Sequence, residues 1–181
     1  CNVNNIIFCR KNSYIYSLFL ANITILVYNV FMRSFKIKEK YINKDCTMLD
    51  VGCGSGILSI AAALLGAKKA DGVDIDPVAV KVAKENAQMN NVEDKTSYIL
   101  GDLCDKINDK YDVVCANIVA DVIISLLSNV ENFMKENSVF LCSGIIDIRE
   151  PEVVAALDEY GFRIIARHEE AGWLCFECMK K

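Results

Sequence analysis

The chain lacks the material for several kinds of function. It has one histidine, His168, and no second C-x-x-C beside Cys175-Phe-Glu-Cys178. The strong four-ligand zinc signature is therefore missing, and no metal is expected. No Lys/Arg run exceeds two residues and the formal net charge is −4. Both features weigh against direct binding of nucleic acid phosphates. No internal repeat is visible, and the first residue is Cys1 instead of Met, so the sequence reads as a fragment or a processed product.

What is present is apolar and cysteine-rich. Hydrophobic residues make up 53% of 181 residues, enough for one domain with a real core. The nine cysteines are odd in number, and Cys115, Cys142 and Cys175 fall inside apolar runs. That pattern suits buried, reduced thiols in a cytoplasmic protein better than a disulfide framework.

Two unlike segments follow one another. Residues 1–46 form an atypical apolar N-terminal segment plus linker, in which Ser13–Met32 carries no charge. Its length permits a membrane span. Ser13, Ser17, Asn22, Thr24 and Asn29 interrupt it, however, and its β-branched and aromatic residues suit buried strands or a packed helix better. Membrane insertion is therefore not the expectation.

From Thr47 to Lys181 short apolar runs alternate with helical stretches, which implies βαβ units and a parallel sheet. Strands are expected at Thr47–Val51, Ala70–Asp74, Thr96–Leu100, Tyr111–Ala116, Ser138–Ser143, Phe162–Glu169 and Gly172–Met179. Helices are expected at Gly56–Leu65, Pro77–Asn90, Asp121–Met134 and Glu150–Tyr160. The last two strands, joined by a turn around Glu170-Ala171, should form an antiparallel hairpin at a sheet edge. In the second helix Asp76 serves as cap and Pro77 as first helical residue, and Val78, Val82, Ala79, Ala83 and Ala87 are expected to face the sheet.

The chemistry concentrates at Met48-Leu-Asp-Val-Gly-Cys-Gly-Ser-Gly-Ile57, an apolar strand followed by a Gly-rich turn and an Ala-rich helix. A ligand belongs at the carboxyl end of such a strand. Gly52 and Gly54 would let it approach the backbone, and Gly56 would let the helix start tightly. The next strand ends in Asp74, 22 residues after Gly52, where a carboxylate can accept bonds from both ribose hydroxyls. The dinucleotide fingerprint is G-x-G-x-x-G, with a pyrophosphate on the helix N-terminus. Here the spacing is tighter, and Asp50 places a negative charge just before the turn. That charge would repel a pyrophosphate but suit the ammonium and sulfonium of S-adenosyl-L-methionine. A dehydrogenase remains the alternative. Asn117, after the fourth strand, offers an amide that both donates and accepts. Asp102 offers a further carboxylate, possible partner of an adenine amino group. His168, beside Glu169, is expected at the solvated surface.

The segments LDVGCGSGILSIAAALLGA, GVDIDPVAVKVAKENAQMNNV, YDVVCANIVADVI and FLCSGIIDIRE, with the Trp173-containing end, resemble the catalytic domain of the ribosomal protein L-eleven methyltransferase family (PrmA). The resemblance covers about Lys44 to Lys181. It implies a Rossmann-like class I methyltransferase: a mostly parallel seven-stranded sheet, an antiparallel C-terminal strand and helices on both faces. It implies methyl transfer from S-adenosyl-L-methionine to amino groups of a ribosomal protein, with cofactor contacts at Gly52, Asp74 and Asn117, to which the reading of the turn adds Gly54. No catalytic acid or base is assigned, since the cofactor brings the reactive methyl. The family also carries an N-terminal recognition domain and a Gly-Thr-Gly-x-His-x-Thr-Thr-like loop, neither of which occurs here. The stretch equivalent to the loop, Ile25–Arg33, is apolar apart from Asn29 and Arg33. Residues 1–35 are accordingly read as a foreign or wrong-frame segment. A truncated domain that binds cofactor without turnover, or a methyltransferase for another acceptor, stays open beside the enzyme reading.

Overall fold

The computed structural model describes residues 41–102 and 106–181. The apolar Ser13–Met32 run lies outside them. Among the described residues no helix is long and apolar enough to cross a membrane.

Among the described residues seven strands form one sheet: β1 Thr47–Val51, β2 Lys69–Asp74, β3 Thr96–Leu100, β4 Tyr111–Asn117, β5 Met134–Ile146, β6 Phe162–Glu170 and β7 Trp173–Lys180. Their order is β3-β2-β1-β4-β5-β7-β6. The first five pair in parallel, and β7 runs antiparallel between β5 and β6. The hairpin turn is Ala171-Gly172, one residue later than expected. Both residues have positive φ (51° and 80°), the geometry of a type I′ turn, whose twist matches that of paired strands. The fold is the Rossmann-like α/β arrangement expected from the sequence.

Among the described residues four α-helices cover the sheet: α1 Ile57–Leu64, α2 Pro77–Met89, α3 Ala120–Leu126 and α4 Glu150–Glu159. They lie on both faces. Leu49, Val51, Val114, Phe140 and Phe176 pack with Ile123 and Leu126 of α3 and with Val153 and Leu157 of α4. Met48, Val113 and Leu141 pack on the opposite face with Leu58 and Ala62 of α1, joined there by Tyr41 and Ile42. α2 completes that face through Val80, Ala83 and Ala87, packed with Tyr98 of β3.

Two expectations need correction. The helix foreseen over Asp121–Met134 ends at Leu126. Ser128 Oγ bonds the Ser125 carbonyl and Asn129 N–H bonds that of Leu126, so side chain and backbone both favour a tighter turn over continued α-helix. The chain then makes a 3-10 turn at Val130–Phe133 and enters β5 at Met134. The buried face of α2 is likewise displaced. Val80, Ala83, Asn86 and Ala87 are buried, whereas Val78 is 64% exposed. Asp76 caps Val78 N–H at 2.8 Å as expected, which places Val78 in the first turn at the helix mouth.

The Cys175-x-x-Cys178 pair is split by the strand it sits on. Three residues along a strand reverse the side-chain direction. Cys178 packs with Phe140 and Phe176 against α3 and α4, and Cys175 faces the other way.

Gly72 fixes how closely β2 is covered. A Cβ there would lie 2.8 Å from Cys53 Cβ and 2.8 Å from Tyr98 Cδ1. Gly72→Ala is expected to cost about 1–3 kcal/mol by overpacking, read as a lower urea midpoint with unchanged slope. An unchanged midpoint would show that the contact is slack.

Candidate functional site

The sheet order reverses between β1 and β4, so the loops after these two strands open a crevice at the carboxyl edge. The turn after β1, residues 52–56, forms its floor.

That turn is held by its own backbone. Gly52 and Cys53 N–H both donate to the Val73 carbonyl, at 2.8 and 3.0 Å. Gly54 N–H donates to Asp74 Oδ2 at 2.8 Å, and Gly56 N–H to the Cys53 carbonyl at 2.8 Å. A phosphate cradle requires free N–H groups pointing at the ligand. Four of the five N–H groups here are already engaged. The expectation that the turn does not hold a pyrophosphate thus has a structural basis beyond glycine spacing.

The glycines do different jobs. A Cβ at Gly54 would meet nothing within 4 Å, so the turn is open to a ligand there. At Gly52 the same position is filled by Ile118 Cγ2, 2.5 Å away. Gly52 therefore admits the chain that follows β4, and the open approach belongs to Gly54.

Asp74 stands at the end of β2, half-buried. Its Oδ2 accepts from Gly54 N–H and its Oδ1 from Asp76 N–H at 2.9 Å. Each carboxylate oxygen retains a lone pair, so the group can still receive hydroxyl donors. Asn117 ends β4, half-buried, with Ile118 N–H bonded to the Ser143 carbonyl at 3.1 Å. Gly144 makes room for it: a Cβ at 144 would lie 3.0 Å from Asn117 Oδ1 and 2.8 Å from the Ile118 carbonyl. Gly52, Gly54, Asp74 and Asn117 are thus gathered at one crevice. Asp102 is exposed just past β3, before residues 103–105, which are not described.

Asp50 lies beneath the turn and is 1% exposed. Neither of its oxygens has a hydrogen-bond partner among the described residues. Burial raises its pKa to about 7; the poorly aligned Ser59 N–H in the first turn of α1 acts downward, and the Asp74 charge upward. Cys53 and Tyr98 nearby are also raised, by burial first and by Asp50 after it.

Three supporting residues escaped sequence reasoning. Asn86 on α2 donates from Nδ2 to the Ser55 carbonyl at 2.8 Å, pinning the turn from the side. Ser59 Oγ donates to the Gly56 carbonyl at 3.0 Å and shares a 3.0 Å bond with Tyr98 Oη. The available signal was Asn86 itself, a polar residue on the buried stripe of an amphipathic helix. His168 is away from the crevice: its Nε2 meets Glu177 Oε1 at 2.8 Å, not Glu169, and Tyr41 Oη donates to Glu177 Oε2 at 2.6 Å.

The chain is similar to several known proteins. The family model described as Ribosomal protein L11 methyltransferase (PrmA) matches residues 32–181. A Clostridium botulinum (strain Eklund 17B / Type B) protein named Ribosomal protein L11 methyltransferase is 47% identical over 140 residues, 77% of this chain and 44% of that protein. One of the same name from Desulfitobacterium hafniense is 45% identical over 136 residues, covering 75% of this chain and 43% of that protein. The chain thus spans less than half the length of these curated relatives. The crystal structure of the ribosomal protein L11 methylase from Lactobacillus delbrueckii subsp. bulgaricus superimposes with a TM-score of 0.80 at 29% identity, covering 85% of this chain and 80% of that one. An RNA methyltransferase from Salinibacter ruber, in complex with S-adenosyl-L-homocysteine, shares the fold at TM-score 0.66 and 21% identity, over 82% of this chain and 88% of that one.

The Asp50 carboxyl gives a pH prediction. Its folded pKa of about 7 lies above the ordinary 3.8, so the folded state holds a proton that the unfolded state has lost between these values. Its contribution is full below the lower value and is lost as pH rises through the upper one. Melting temperature should therefore fall more steeply from pH 5 to pH 8 in the native protein than in Asp50→Asn. Parallel curves would show that Asp50 does not titrate in this range.

Proposed function

The chain belongs to the ribosomal protein L11 methyltransferase (PrmA) family, and on that premise we propose that it binds S-adenosyl-L-methionine and transfers its methyl group to amino nitrogens of a ribosomal protein. The observation that carries the reading is the pairing of Asp74, at the rim of a turn with few free N–H groups, with the buried carboxyl of Asp50 beneath it, which has no hydrogen-bond partner among the described residues. A turn of this kind suits a cationic nucleoside and not a pyrophosphate.

S-adenosyl-L-methionine supplies an electrophilic methyl group on a positively charged sulfur. Asp74 would accept the ribose hydroxyls. Gly54 would leave room for the ligand against the backbone. Asp50 would provide negative potential below the ammonium and sulfonium. Asn117 would orient the donor or the incoming amine by hydrogen bonds, without taking a proton. The protein's contribution is then alignment and exclusion of water. The amine must arrive neutral, which a desolvated approach favours by lowering its pKa.

In this reading residues 47–181 are the methyltransferase domain and residues 1–46 a separate segment, with Tyr41 and Ile42 resting on the domain. A cytoplasmic setting follows from the proposed ribosomal substrate.

Calorimetric titration of S-adenosyl-L-methionine tests the site. Asp74→Ala should weaken binding at least about tenfold, since each lost charge-assisted bond is worth about 1.5–3 kcal/mol. A loss below about threefold would displace the ribose from Asp74. Binding without methylation of purified ribosomal protein L11 would overturn the acceptor assignment and leave the cofactor site standing.

A further inference from the structure

The carboxyl edge beyond Asn117 carries an apolar ridge that the cofactor reading leaves unused. Val119, after β4, is 61% exposed; Ile146, at the end of β5, is 42% exposed; Ile148, just after it, is 76% exposed. Exposed apolar side chains gathered at the mouth of a crevice are candidates for a contact surface.

The segments that carry the ridge are tied to one another. Arg149 Nη2 meets Asp121 Oδ1 at 2.5 Å and Glu152 Oε2 at 2.7 Å, while its Nε donates to Glu152 Oε1 at 3.0 Å. One guanidinium thus ties the loop after β5 to the first turn of α3 and to α4. Asp147 N–H donates to the Gly172 carbonyl at 3.0 Å, which ties the same loop to the β6–β7 turn. Val119 lies two residues before Asp121 and Ile148 directly precedes Arg149, so the bridge joins the two segments that carry them.

The surroundings are acidic. The segments at this edge hold Asp121, Asp147, Glu150, Glu152, Glu169 and Glu170 against only Arg149 and Arg167. Both guanidiniums are committed: Arg149 to Asp121 and Glu152, and Arg167 to Glu150 at 2.6 Å and Glu169 at 2.8 Å. The excess negative charge favours a cationic partner and repels nucleic acid.

We propose that the Val119–Ile146–Ile148 ridge, locked by Arg149, is the surface on which a basic polypeptide lies while it presents its amine to Asn117. The proposal rests on the methyltransferase reading and adds to it the surface that receives the acceptor. Apolar side chains of the polypeptide lie on the ridge, and its lysines and arginines face the acidic rim. Arg149 is a positioning residue here, acting through the loop that it holds.

The test uses the full chain, with labelled ribosomal protein L11 as the basic polypeptide and S-adenosyl-L-methionine titrated separately. Ile148→Asp should raise the KM for ribosomal protein L11 and its directly measured Kd by tenfold or more, with cofactor Kd within twofold of native. Arg149→Ala should raise the same KM, and Arg149→Lys should restore it only in part, since an ammonium cannot bridge two carboxylates as a planar fork does. Native binding should weaken as salt rises. An acceptor Kd unchanged by Ile148→Asp overturns the ridge, as does native protein that binds labelled RNA there in preference. Native protein that binds ribosomal protein L11 in an Ile148-dependent way yet transfers no methyl sinks the enzymatic reading and leaves the ridge in place.

Discussion

The carboxylate of Asp74 holds the crevice together. One oxygen receives the N–H of the turn after β1, and the other receives the N–H that leads into α2. Two loops from neighbouring parallel strands are thereby fixed to the end of β2 by one side chain. Charge-assisted bonds of this type are among the stronger single contacts in a protein. Asn86 and the Ser59–Tyr98 pair brace the same turn from the helix side. The geometry is set before any ligand arrives, so binding need not supply the ordering of the loop.

The same economy leaves a carboxyl stranded. Asp50 precedes the turn on β1, between β2 and β4, where the sheet is covered and no donor is well aligned. A group in that position is destabilising whenever it is ionised. Its retention is understandable if a cation sits above it, and the neutral form is the resting compromise. Stability and ligand chemistry meet in this single residue.

The sequence made most of this legible. β1 and β3 lie where the apolar runs placed them, and the hairpin at the end of the chain was visible from its two β-rich segments. These are elements whose period and length agree with their burial. What failed was local. Leu126, Leu127, Val130 and Phe133 keep helical spacing and are all buried, yet the backbone between them changes type at Ser128-Asn129. Apolar spacing reports which side chains go inside and is blind to a hydroxyl that satisfies a carbonyl three residues back. Val78 was misplaced for a related reason: near a helix end, position relative to the cap outweighs periodicity. At the site, Gly52 and Gly54 look alike as letters. Only the fold reveals that one accommodates Ile118 and the other faces open space. Asn86 stood out as a polar residue on the buried stripe of α2, but its partner, the Ser55 carbonyl, became visible only in the fold.

Among the described residues, the hairpin of β6 and β7 leaves β6 as the last strand of the sheet. Its outward residues are Arg163, Ile165, Arg167 and Glu169, alternating with the half-covered ones. A bare strand edge invites another chain to add on, and charged side chains along it are a common deterrent. Arg167 is further drawn toward Glu150 of α4, across the strand's flank. The opposite border, β3, is five residues long. The domain therefore offers stray strands a short border on one side and a charged one on the other, a form of protection against self-association that the same turn at Ala171-Gly172 makes possible.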